Sequence, residues 1–89
     1  MPASLRIDKW LWHARFCRTR AIAQQKAEAG EIRLNGQRVA KSSAQVRPGD
    51  IMTLSMGREV VVVRVLDLGE RRGPAAEART LYELVEENA

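Results

Sequence analysis

The stretch "IRLNGQRVAKSS", residues 32–43, decides how this chain folds. Ile32 and Leu34 alternate with Arg33, the period of a strand with one buried face. Asn35-Gly36 comes next. Both residues accept the positive φ of a two-residue hairpin turn, so a return strand is predicted directly after it. The segment also carries Arg33, Arg38 and Lys41, opposed nearby only by Glu31. That much positive charge around one hairpin asks for a polyanion as partner.

On the N-terminal side the pattern changes from period 2 to period 3.6. Ile7, Trp10, Leu11, Ala14 and Cys17 fall on one stripe, which predicts a first helix from about residues 4–6 to Cys17. Arg6, Lys9 and His13 lie beside that stripe. Trp12 and Phe16, four apart, make a second apolar patch, expected to be covered by the last helix. Thr19 is a good N-cap for a second helix over 20–29, and Gly30 a good stop. Its small residues Ala23 and Ala27 mark the buried side. Arg20, Gln24 and Glu28 form the opposite edge. With a break of only a residue or two, the helices are expected to pack as a short αα-hairpin.

Downstream, Pro48-Gly49 is a second turn and Ile51 to Leu54 a strand. "VVVVRVLDL", residues 60–68, is the strongest strand signal in the chain. Pro74 suits the first position of a last helix over 74–87, amphipathic through Ala78, Leu81, Tyr82 and Val85. Glu77, Glu83, Glu86 and Glu87 make its outer face acidic. The order places helices on one side of a small twisted antiparallel sheet, an α+β fold.

Composition narrows the function. The chain has 89 residues, room for one small domain over 1–89. Residues 1–50 hold ten basic and four acidic side chains, a net +6, while 51–89 hold five and seven, a net −2. A basic front and a mildly acidic back suit nucleic acid. A single Cys excludes an intramolecular disulfide and fits a reducing compartment. No apolar run can span a bilayer, and a cytoplasmic protein with no membrane partner is expected.

An enzyme is not expected. His13 is the only His and Cys17 the only Cys, so no metal set can form from them. Cys17 lies on the core stripe, where a thiol is inert. No glycine-rich phosphate loop precedes a helix. No catalytic residue, metal, cofactor or small-molecule substrate is therefore assigned. Arg and Lys supply phosphate affinity, while Thr, Gln and Ser can meet phosphate and sugar oxygens.

The pieces "RIDKWL", "RTRAIA", "G-x-I-x-L-NG", "K-S-S" and "V-x-PGD" occur in that order within residues 6–50. Together they resemble the S4-type RNA-binding domain. The opening "RIDKWLWHARFCRTR" and the late "RRGPAAEARTLYE" are more similar still to the stand-alone fifteen-kilodalton heat-shock protein family. The resemblance implies an S4-type αL module over 6–54, completed by a final strand and C-terminal helix over 59–89. It implies RNA contacts through Arg6, Lys9, Arg15, Arg18, Thr19, Arg20, Gln24, Lys41 and Ser43, with Lys41 and Ser43 beside Arg18 and Arg20. It further implies binding, as a monomer, to rRNA and tRNA on free large ribosomal subunits that carry a stalled nascent chain. The role would be recycling or quality control under heat stress. The alternative is a structured-RNA adaptor that docks a protein partner through the acidic C-terminal helix. Two residues depart from the family pattern. Lys26 stands at a usually large apolar position and Ala27 is unusually small, which predicts a loosely packed second helix.

Overall fold

The computed structural model describes residues 3–85. The hairpin forms as its residues require. β2 (Ile32–Leu34) and β3 (Gln37–Arg38) pair antiparallel, with Leu34 opposite Gln37. Asn35 and Gly36 take φ of +52° and +83°, the conformation the turn demands. The Asn35 side chain does more than turn the chain. Its Nδ2 donates to Asp50 at 3.0 Å, and its Oδ1 accepts from the Ile51 backbone N–H at 2.9 Å. The turn is thereby fastened to β5 (Ile51–Met56). Asn35→Ala removes both bonds at a positive-φ position, so it is expected to cost about 1–2 kcal/mol in urea unfolding.

β5 pairs with β2 and with β6 (Glu59–Val65). The five-stranded antiparallel sheet runs β3-β2-β5-β6-β7, where β7 is Tyr82–Leu84. A separate two-stranded ribbon joins β1 (Leu5–Arg6) to β4 (Gln45–Val46). The helices α1 (Ile7–His13) and α2 (Arg20–Glu28) share a core with one face of the large sheet. Ile7, Trp10, Leu11, Ala14, Cys17, Ala23 and Ala27 meet Ile32, Met52, Leu54, Val63 and Val65 there. The predicted α+β class and the core stripe are both present.

Four expectations are corrected. First, α1 ends at His13, not Cys17. Arg15 enters the left-handed region at φ +62°, which reverses the chain, and the Phe16 and Cys17 N–H groups both return to the Leu11 carbonyl. Second, the connection to α2 is six residues long, 14–19, not one or two. It swings α2 across α1, so Asp8 in the first turn of α1 meets Arg20 and Gln24 in the first half of α2. Third, the last helix is one turn long. α3 (Ala75–Ala78) passes into a 3₁₀ turn, Arg79–Leu81, and the chain then leaves as strand β7. The open edge of β6 explains this. Its backbone groups need partners, and the residues after Ala78 supply them, with Tyr82 opposite Val65 and Leu84 opposite Val63. Phe16 is accordingly covered by Tyr82 on a strand, with ring centroids 4.6 Å apart. Glu86 and Glu87 lie outside the described residues. Fourth, α2 is not loosely packed. Ala23 and Ala27 are fully buried, and Lys26 runs along the core edge to donate from Nζ to the Ser55 carbonyl at 2.9 Å.

Candidate nucleic-acid interface

One acid organises the basic surface. Asp8 is fully buried, in the first turn of α1, where the helix dipole favours a carboxylate. Its oxygens accept from Arg6 Nε at 3.2 Å and Nη2 at 3.1 Å, from Gln24 Nε2 at 3.1 Å and from Arg20 Nη2 at 3.4 Å. The Lys9 backbone N–H adds a further bond at 2.8 Å. Burial pushes the Asp8 carboxyl up. The bonds from Arg6 and Gln24, the Arg6 charge and the Lys9 N–H outweigh it, so the group titrates below the usual carboxylate range.

The physical consequence is orientation. The Arg6 and Arg20 side chains remain 45% and 41% exposed although Asp8 is sealed. Arg6 sets its Nε and Nη2 against the carboxylate, while Arg20 reaches it through Nη2 alone and keeps its Nε buried without a partner. A flexible cation becomes a fixed fork, which loses less entropy when it meets a phosphate. Asp8 is one of the four acids of the basic half of the chain. The available signal was its place 60° from Leu11 on the helical wheel, at the flank of the apolar stripe, between Arg6 and Lys9.

The 41–44 segment docks on the same end of α1. The N–H groups of Ile7 and Asp8 donate to the carbonyls of Ala44 and Ser42 at 2.7 and 3.4 Å. Lys41 and Ser43 are exposed on that segment, so they stand beside the start of α1 and Arg6. Arg20 belongs to this group, through Asp8. Lys9 is half-buried on α1. Thr19 caps α2, its Oγ1 accepting from Ile22 N–H at 3.1 Å, and it remains exposed beside the exposed Arg18.

Arg15 is set apart. Its Nε donates to the Gly73 carbonyl at 2.6 Å. Two α1 side chains hold the same loop: Trp10 Nε1 donates to the Asp67 carbonyl at 2.9 Å, and His13 Nδ1 donates to that of Leu68 at 3.1 Å. His13 is therefore buried and structural, although it lies on the same side of α1 as Arg6 and Lys9. Burial pushes the Cys17 thiol up, opposed in part by the Lys26 charge, which disfavours the reactive thiolate. Among the described residues no His, Cys, Asp and Glu gather into a metal-binding group, and no helix is long and apolar enough to cross a membrane.

Two helices that carry a fixed basic surface and a hairpin that returns beside them define an α-helix/hairpin module, and the comparisons with known proteins give its class. The S4 domain model matches residues 5–51, and the chain belongs to that family. Among curated proteins the chain is 46% identical over 79 residues to heat shock protein 15 of Escherichia coli K12, covering 89% of this chain and 59% of that one. It thus spans about three-fifths of the length of the heat shock protein 15 relatives. The RQC P-site tRNA stabilizing factor of Bacillus subtilis is 35% identical over 93% of this chain and 94% of its own length. A solved structure, described as trimeric Vibrio cholerae heat shock protein 15, superposes with a TM-score of 0.87 at 37% identity, covering 93% of this chain and 83% of that one.

Proposed function

We propose that this chain is a non-catalytic RNA-binding protein of the ribosome, acting in the cytoplasm on free large subunits that carry a stalled nascent chain. The observation that carries the reading is the buried Asp8 holding Arg6, Arg20 and Gln24 in one orientation. A buried carboxylate surrounded by half-exposed guanidiniums organises a surface for anions outside the fold. The names of its relatives, a heat-shock protein and a tRNA-stabilising factor of ribosome quality control, supply the context. In this reading Arg6, Lys9, Arg18, Thr19, Arg20, Gln24, Lys41 and Ser43 contact rRNA or tRNA backbone. Arg15 joins them through the donors that Gly73 leaves free. The chain works as a monomer on its RNA, whereas the Vibrio relative is described as a trimer.

The adaptor reading is not favoured. The long acidic helix it needs is replaced by β7, Glu77 pairs with Arg71 at 3.0 Å, and Glu83 pairs with Arg64 at 2.8 Å.

The test is co-sedimentation with ribosomes through a sucrose gradient at low and moderate salt, with and without translational stalling. The protein is expected in the free large-subunit peak, increased by stalling. The informative variant is Lys41→Glu with Arg18→Glu, because it reverses surface charge without touching Asp8. Arg20→Glu would set a second carboxylate against a buried one and confound binding with folding. If about five phosphates are engaged, the double variant should lower affinity at least tenfold at moderate salt. Undiminished co-sedimentation of that variant would sink the assigned surface.

A further inference from the structure

The hairpin carries two arginines that the Asp8 centre does not use. Arg33 and Arg38 are direct cross-strand partners in β2 and β3, so their side chains leave the same face of the sheet. On β2, Ile32 and Leu34 pack toward the core, so Arg33 points to the face away from the helices. Both arginines are exposed. Neither has an ion-pair partner among the described residues. The acid beside them, Glu31, lies 3.5 Å from Lys26 Nζ, and Glu83, on the same outer face, is held by Arg64.

Like charges placed directly opposite each other destabilise a sheet, and no carboxylate among the described residues pairs with either arginine. Arg38 is also held in place. Its guanidinium lies against Gly30, at the C-terminal end of α2, so closely that a Cβ at Gly30 would collide with it. The carbonyl end of a helix favours a cation there. Thr53 lies next across the sheet from Arg33, adding a hydroxyl. The row continues past Thr53 to Val62, and Val60, also on this face, is 65% exposed, but β2, β3, β5 and β6 carry no aromatic residue, the usual anchor of a protein partner. Guanidinium and hydroxyl donors without an aromatic anchor suit a phosphate backbone.

We infer that the outer face of the β2–β3 hairpin is a second RNA-backbone contact, separate from the Asp8-centred surface, so that the protein holds two RNA segments at once. This rests on the RNA-binding reading above and extends it from a single contact to a bridge.

The test uses the full chain and purified large ribosomal subunits, titrated across a series of KCl concentrations. Arg33→Thr/Arg38→Thr is expected to weaken binding about tenfold and to lower the slope of log affinity against log salt by about 1.5, as for two lost phosphate contacts. Its melting temperature should hold or rise by about 2 °C, because a repulsive pair is removed. Arg33→Lys/Arg38→Lys should keep the wild-type slope, which separates charge from folding. A second readout mixes the protein with short RNA duplexes that carry either a donor or an acceptor dye. Energy transfer is expected with wild type and not with Arg33→Thr/Arg38→Thr or with Lys41→Glu/Arg18→Glu. If Arg33→Thr/Arg38→Thr keeps wild-type affinity and slope while Lys41→Glu/Arg18→Glu loses both, the hairpin contact is overturned and the RNA-binding reading stands. If neither variant changes binding, both fall. A reduced slope without energy transfer in the wild type overturns the bridge.

Discussion

Asp8→Asn is expected to lower stability by about 2–3 kcal/mol and to reduce ribosome association more than loss of any single surface lysine. The carboxylate is fully buried and accepts from three side chains and one backbone N–H. Breaking a buried ion pair costs about 3–5 kcal/mol when both partners are sealed. Here Arg6 and Arg20 are nearly half exposed and can turn to water, so the smaller figure applies. Binding falls for a different reason: the two guanidiniums regain their rotamers and must be ordered again on RNA. In a domain of this size the stability loss lowers the melting temperature by about 10–20 °C.

The same residue sets an acid limb. The folded Asp8 titrates below its unfolded value, so the unfolded chain binds the extra proton as pH falls. The stabilisation is present above the ordinary carboxylate pKa and is lost as pH falls through the lower folded value. Melting temperatures followed from pH 7 to pH 3 should therefore decline more steeply for wild type than for Asp8→Asn. Parallel profiles would mean that Asp8 is not held as described.

Trp10→Ala is expected to have the largest effect on the fold, about 4 kcal/mol, enough to leave much of the protein unfolded at 37 °C. Trp10 is completely buried. It stacks near Phe16 at 5.9 Å and meets the edge of Tyr82 at 6.5 Å, and its Nε1 holds the Asp67 carbonyl. One side chain therefore joins α1 to the loop after β6 and to β7. Trp10→Phe keeps most of the area but strands the carbonyl, so about 1–2 kcal/mol is expected. Circular dichroism melts and urea titrations distinguish the two. Equal losses would show that the indole hydrogen bond carries the whole effect.

These two predictions concern residues of very different legibility. Trp10 was visible as core from its spacing with Ile7, Leu11, Ala14 and Cys17, because a helical period needs no partner to be recognised. The Asn35-Gly36 turn and the α2 boundaries at Thr19 and Gly30 were equally readable. Each is a local event, governed by which backbone angles a residue tolerates and which side chain can cap an N–H. The α+β class, the basic front half and the family resemblance followed from the same short-range information.

What required the tertiary structure was every decision that depends on a distant neighbour. Asp8 reads as an ordinary surface acid until α2 crosses α1 and delivers Arg20 and Gln24, 12 and 16 residues away. His13 and Arg15 read as polar flanks of a helix until the 67–73 loop arrives with carbonyls that need donors. The last segment has a sound helical period, yet residues 82–84 are strand, because the unpaired edge of β6 outbids intrinsic propensity. Local chemistry determined the turns, the caps and the charge. Long-range hydrogen bonding decided which of those charges became a fixed, outward-facing site.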